Sequence, residues 1–216
     1  MSAFLKTLAC ATVVATGFAT ASQAVTVDNG LIVGNSLEQG ATESNDVLLI
    51  REKLQVTTTE AVRVDYLLGA NLDVGDTVRG INRATSAQDL EAGLYNSYLL
   101  HFDPIVSSSV EQSFTLGKNE QIVAIIVSNR GLGRLLNQSD DVFGLDGVTY
   151  EDNTARRAEN NERITLTSAN SIFFRARANA RFTDDVRVIT QVVPLPAGAA
   201  LLLTGVLAFG ALRRKS

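Results

Sequence analysis

The sequence predicts an all-β fold, a single β-sandwich of jelly-roll or Greek-key type, over residues 25–192. Three observations predict it. Short runs rich in Val, Ile, Thr, Tyr and Phe recur along this region, separated by Gly, Asn, Asp and Pro turn signals. No run in it holds a helical period for more than two turns. No segment repeats at a fixed spacing, which argues against a propeller or a solenoid.

The elements follow in order. Asn29-Gly30, Gly34-Asn35 and Gly40 read as turns around a first strand at Gly30–Val33. Val47–Arg51 and Leu54–Thr58 are apolar and β-branched enough for two strands. Ala61–Leu67 alternates, with Val62, Val64 and Tyr66 on one side and Arg63 and Asp65 on the other. A period of two marks a half-buried strand. Thr77–Gly80 is a short strand, and Ser86–Gly93 reads as one or two helical turns with Ser86 as cap and Asp89 at the capping-box distance. Tyr95–Phe102 is a strand halted by Asp103-Pro104, and Val110–Thr115 follows the Ser107-Ser108-Ser109 turn. Ile122 to Val127 is continuously apolar, as expected of a strand buried on both faces. Asn129–Gly147 reads as a long connection, and Arg163–Thr167, Ser171–Arg181 and Val186–Val193 as three last strands.

The two ends read differently. Met1 to Lys6 is a short, weakly positive region, Leu8 to Ala19 is apolar, and Ser22-Gln23-Ala24 offers a small-x-small cleavage site. This three-part pattern is a secretory signal peptide over 1–24, cleaved after Ala24 by signal peptidase on the Sec export route. At the other end, Leu195 to Leu212 carries no charge. At about 1.5 Å per residue it spans roughly 27 Å, enough for a transmembrane helix across a thin bilayer. Arg213, Arg214 and Lys215 then set the orientation, because basic flanks stay cytoplasmic. The chain thus divides into 1–24, an extracytoplasmic domain over 25–192, and a tail over 193–216.

Charge sharpens the picture. The middle region holds all 23 acidic residues and 15 of the 19 basic ones, a net charge of −8. Such a surface argues against nucleic acid as a partner. The only cysteine, Cys10, falls within the signal peptide, so the mature domain must be held by packing.

Val193-Pro194-Leu195-Pro196-Ala197, followed by the apolar span and the basic end, resembles the VPLPA variant of the PEP-CTERM sorting domain. The resemblance implies recognition by an exosortase, a membrane protease that removes such tails as proteins are sorted to the surface. It covers about the last 24 residues. A second resemblance runs through the middle region: Ser97 to Pro104, Ser113-Phe114-Thr115, Ile122 to Ser128, Leu136 to Tyr150 and Asp185 to Thr190. Together these look like a pattern found in uncharacterised exported proteins with such tails. It implies a shared β domain and no catalytic residues.

Three candidate sites stand in the middle region. Asp140, Asp141 and Asp146, in a loop with Gly144 and Gly147, are candidate calcium ligands, since hard cations take several oxygens from a flexible loop. The plainer reading is a solvated turn with Asp140 capping a short helix. Arg175, Arg177 and Arg181 share one side of a strand and are candidates for contact with an acidic surface polysaccharide; the plainer reading is a solvated face whose arginines pair with acidic neighbours on adjacent strands. His101, the only histidine, is the one imidazole a hydrolytic triad could use, with Asp103 or another carboxylate as its orienter. The plainer reading is a structural histidine at a strand end.

No Gly-x-Ser-x-Gly elbow, mature cysteine or His/Cys zinc cluster accompanies His101. The expectation is therefore a non-catalytic surface or extracellular-matrix protein with no cofactor. A carbohydrate- or calcium-binding module is the second reading, and a secreted hydrolase the third.

Overall fold

The structure is a computed structural model that describes residues 36–38, 40–79, 87–127, 134–151, 156, 162–178 and 182–193. The expected signal peptide with Ala24, the strand at Gly30–Val33, Arg181, and the tail from Pro194 through Ala197 to Arg213, Arg214 and Lys215 lie outside them. Among the described residues no helix is long and apolar enough to cross a membrane.

The elements in chain order are β1 (Ser36–Leu37), β2 (Leu48–Thr58), β3 (Val62–Val64), β4 (Tyr66–Leu67), β5 (Thr77–Arg79), β6 (Gln88–Leu90), β7 (Gly93–Phe102), β8 (Ser108–Thr115) and β9 (Glu120–Ile126). The helix α1 (Leu135–Phe143) follows, then β10 (Thr149–Tyr150), β11 (Arg163–Ser168), β12 (Ser171–Ala178) and β13 (Asp184–Val192). Two sheets dominate: β2-β7-β13-β9-β4 and β5-β11-β12-β8. Every pairing within them is antiparallel. Among the described residues the fold is all-β, as expected, with one short helix.

Strand alternation explains the core. From β7, Tyr98, Leu100 and Phe102 point between the sheets; Val186 and Val188 of β13 and Ile122 and Ile125 of β9 join them. From the other sheet come Ile164 and Leu166, Ile172, Phe174 and Ala176, and Phe114. These residues form one contiguous core between the two layers.

The five-stranded sheet is buried on its second face too. There Ala124, Ile126 and Ile189 pack with Leu135, Leu136 and Phe143 of α1. That is why the continuous apolar run of β9 carries no polar alternation.

One end of the sandwich is pinned by Glu120. Its Oε1 accepts from Asn96 Nδ2 at 3.0 Å and Tyr98 Oη at 2.9 Å, and its Oε2 from Thr190 Oγ1 at 2.7 Å. One carboxylate therefore ties β7, β9 and β13 together where β13 ends. Burial first, and Glu120 second, push the Tyr98 phenol upward, so it stays a donor.

Four local expectations change. Where helical turns were expected at Ser86–Gly93, Gln88–Leu90 is a strand paired with Val62–Val64, and Leu90 is buried beside them. Cross-strand burial outweighs a local capping signal. Ala61–Leu67 is not one strand but two, β3 and β4, which belong to different sheets. The break falls at Asp65, whose buried Oδ2 accepts the Val127 N–H at 2.8 Å. The two runs expected at 47–58 are one strand, β2, with register shifts between Arg51 and Lys53 and between Lys53 and Val56, and Gln55 at φ 55. Such bulges blunt an edge strand.

The fourth change is α1, a nine-residue helix inside the expected connection. Leu135, Leu136, Ser139 and Phe143 are its buried residues, a spacing that places them on one helical face. Asp140 is not its cap but sits inside it, with its carbonyl accepting the Gly144 N–H at 2.9 Å.

Phe174 is fully buried between the sheets. Phe174→Ala is expected to cost about 3–5 kcal/mol through lost burial and the cavity it leaves. Urea unfolding followed by far-UV circular dichroism measures this.

Candidate functional site

The chemistry-bearing side chains gather on the outer face of the five-stranded sheet, under α1 and the chain that follows it. Registry brings them there. His101 lies opposite Asp185 across β7 and β13 and opposite Leu48 across β7 and β2. Two residues further along β13 on the same face stands Arg187, and β2 and β7 contribute Glu52 and Ser97.

Arg187 is the centre. Its Nε donates to Glu52 Oε2 at 2.7 Å and its Nη2 to Glu52 Oε1 at 2.6 Å, a bidentate pair. Nη2 also reaches Asp140 Oδ1 at 2.7 Å, and Nη1 donates to the Leu136 carbonyl at 3.1 Å and to Ser139 Oγ. A fully buried guanidinium thus has every nitrogen committed. Burial alone would lower its pKa, but the attraction of Glu52 and Asp140 outweighs that and raises it, so the charge is fixed.

Glu52 is equally occupied, accepting also from Ser97 Oγ at 2.6 Å and Tyr150 Oη at 2.8 Å. Burial, reinforced by Glu52, pushes the Tyr150 phenol upward. It therefore donates to Glu52 while accepting the Leu145 N–H at 2.7 Å.

A second guanidinium extends the cluster. Arg156 Nη1 and Nη2 donate to Asp140 Oδ2 and Oδ1 at 2.6 and 3.1 Å, and Nε donates to Asp185 Oδ2. Both arginines approach the Tyr150 ring, their Cζ atoms 4.6 Å (Arg156) and 5.7 Å (Arg187) from its centroid. Asp185 Oδ1 meets His101 Nδ1 at 2.6 Å, and His101 Nε2 meets Thr42 Oγ1 at 2.6 Å. Burial would raise the Asp185 carboxyl, but His101 and Arg156 together hold it down at about 2. An ionised carboxylate only accepts, so the proton between the two groups belongs to Nδ1.

The order Thr42, His101, Asp185 is that of a hydroxyl–imidazole–carboxylate relay. Its surroundings differ from those of an acyl-transfer site. His101 is fully buried, and Arg156 occupies the second oxygen of Asp185. The backbone N–H groups of Gly40 and Thr42, beside the hydroxyl, donate to Asp103 Oδ2 at 2.8 and 3.4 Å. The amides nearest the hydroxyl are therefore not open to receive a developing oxyanion. Asp103, expected as a possible orienter of His101, instead clamps the 40–44 segment, since its carbonyl also accepts the Ser44 N–H at 2.8 Å.

The three candidate calcium ligands are not brought together. Asp140 points inward to two arginines, Asp141 is exposed, and Asp146 pairs with Lys53 Nζ at 2.8 Å with its side chain 92% exposed. Among the described residues no three His, Cys, Asp or Glu side chains converge as a metal site would need. Of the residues expected as a sorting motif, only Val193 is described. It is exposed, and its N–H donates to the Asn119 carbonyl at 2.7 Å.

Sequence reading missed Glu52, Arg156, Asp185 and Arg187 as a unit. The one available signal was charge at positions whose neighbours are apolar, as in Val186-Arg187-Val188. Compared with known proteins, the chain matches no family model, no curated protein and no solved structure.

Removing one partner strands the other as a buried charge, so Arg187→Met alone is expected to cost about 3–5 kcal/mol. Glu52→Gln/Arg187→Met together should cost less than the two single changes summed, a coupling that a double-mutant cycle reads out. Asp185 also makes stability pH-dependent. Its folded pKa is depressed from 3.8 to about 2, so its contribution is complete above pH 3.8 and is lost as pH falls toward 2. Acid unfolding of Asp185→Asn should lack that component, and an unchanged acid limb would refute the assignment.

Proposed function

We propose that this chain is an exported surface or extracellular-matrix protein with a structural, non-catalytic role, carried to its place by a C-terminal exosortase-type sorting signal. Its fold is read as a Greek-key-like sandwich between a signal helix and a membrane-spanning tail. The export route would use signal peptidase and the Sec machinery. The tail would hold the protein in the membrane until an exosortase processes it.

One observation carries this reading most. The last strand ends at Val192, and the motif begins at the next residue, Val193, on exposed backbone. The hydrogen-bonded domain reaches the motif's first residue, whose N–H donates to the Asn119 carbonyl at 2.7 Å. A processing enzyme that cuts within the motif would act past the last strand and not between strands of the sandwich. Glu120 locks β7, β9 and β13 beside this end, so the domain is held firmly up to the motif.

The non-catalytic part of the reading is supported by the committed state of the His101 cluster. Each charged group there is spent on another group of the protein, and the cluster fastens α1 and the 40–44 segment to the sheet.

The test is the mature C-terminus, read by intact-mass and peptide mass spectrometry on protein purified from its native cells. A C-terminus near Val193–Ala197 is expected, with Pro194→Ala leaving the tail in place. An intact Arg213–Ser216 end in the parent protein would refute processing and leave a single-span anchored protein.

A further inference from the structure

The outer face of the four-stranded sheet carries an arrangement that the sequence only half shows. Residues facing away from the core alternate with Val78, Ile164, Ile172, Phe174 and Ala176, which point into it. Antiparallel registry places Arg79 opposite Arg163, Arg163 opposite Arg175, and Arg175 opposite Glu111. Three arginines from three strands thus stand in one cross-strand row at the strand spacing of about 4.8 Å. Arg177 lies two residues along β12 on the same face and widens the row.

This placement is electrostatically costly. Like charges directly opposite each other on a sheet repel. Only Arg175 has a carboxylate, Glu111, at 3.5 Å and on an exposed pair. Among the described residues Arg79, Arg163 and Arg177 have no side-chain ion pair, although the region 25–192 carries a net charge of −8. An acidic domain with carboxylates to spare has left its cations grouped and open on one face.

The next cross-strand row is different in kind. Thr77, Thr165, Phe173 and Ser113 lie in register, with Thr77 Oγ1 and Thr165 Oγ1 2.8 Å apart and Phe173 half-buried. A row of guanidiniums therefore runs beside a row of hydroxyls that holds one aromatic ring.

We propose that this face binds a linear carboxylated polysaccharide, its carboxylates on the arginine row and its sugar rings over Phe173 and the hydroxyls. Guanidinium forks match carboxylates bidentately. A polyuronate presents one charge per sugar, a sparse line that one arginine per strand can follow. Duplex nucleic acid carries one charge per about 1.7 Å, far more densely than one arginine per strand at about 4.8 Å can follow. A lipid surface would call for apolar groups around the cations, and the face offers only Phe173. The proposal depends on export only for where the polymer would be met, not for the row itself. Binding in solution and processing of the tail can therefore fail separately.

The experiment is affinity electrophoresis of the full-length chain in gels containing polygalacturonate, its fully methyl-esterified form, or oligothymidylate, with flotation on anionic vesicles alongside. Retardation by polygalacturonate alone is expected, falling as salt rises. Arg163→Gln/Arg177→Gln should weaken it about tenfold, a loss of two charge-assisted contacts. Lys118→Gln, the same kind of charge change on the distant β8–β9 turn, should leave it unaltered. No retardation, equal retardation by the esterified polymer, or an equal loss in Lys118→Gln would overturn the proposal. So would preferential binding to oligothymidylate or vesicles. If the double variant melts lower than the parent, Arg163→Lys decides, since it keeps the charge and loses the fork. Weakened binding then supports the row, and unchanged binding overturns it.

Discussion

Arg187 is a charge placed where an apolar side chain would ordinarily go. It sits on β13, flanked by β7 and β9, with Val186 and Val188 beside it facing the main core. Its guanidinium joins the edge strand β2 through Glu52 and joins α1 through Ser139, Asp140 and the Leu136 carbonyl. Without that group Asp140 would reach the sheet only by way of Arg156 and Asp185, and direct packing of the helix would fall to the apolar contacts of Leu135, Leu136 and Phe143. Those contacts are non-directional, and they would leave the helix free to slide or rotate. A fork with every nitrogen satisfied fixes one register.

The same logic explains why the cluster is so fully paired. Taking carboxylates and guanidiniums out of water costs several kcal/mol per ion, and only good geometry with extra hydrogen bonds offsets it. Glu52, Asp140 and Asp185 face Arg156, Arg187 and His101, and the remaining lone pairs are met by Ser97 and Tyr150. Its value to the fold lies in specifying where separate pieces of chain settle: α1, Tyr150, Arg156 and the loop around Thr42. This also makes it a poor place for chemistry, because catalysis needs a group whose bonds change during reaction, and these groups are held by several partners at once.

What the sequence made legible was whatever depends on neighbours in sequence. Tyr95–Phe102, Val110–Thr115 and Ile122–Ile126 are each observed within strands because alternation or unbroken apolarity is a local property. The break at Asp65 could not be read locally, since its cause is the Val127 N–H, 62 residues away. Asp140 looked like an exposed acid in a turn because nothing nearby in sequence announces Arg156 and Arg187. The arginine row shows the same limit from the other side. Arg175 and Arg177 are visible as alternating charges on one strand, but Arg79 and Arg163 join them only through registry.

The two sheets thus use charge in opposite ways. On the five-stranded sheet, cations are buried and each is answered by carboxylates from different segments, so charge specifies internal structure. On the four-stranded sheet, cations stand exposed in a line and are largely unanswered, although the domain holds a surplus of acid. Stability alone does not account for the second arrangement, because scattering those arginines among the carboxylates would relieve repulsion at no cost in burial. β13 meets the chain's exit on the end marked by Glu120, whereas the row lies across the strands on a broad side of the sandwich. The fold therefore separates the surface proposed to meet a polymer from Val193, where the proposed sorting sequence begins.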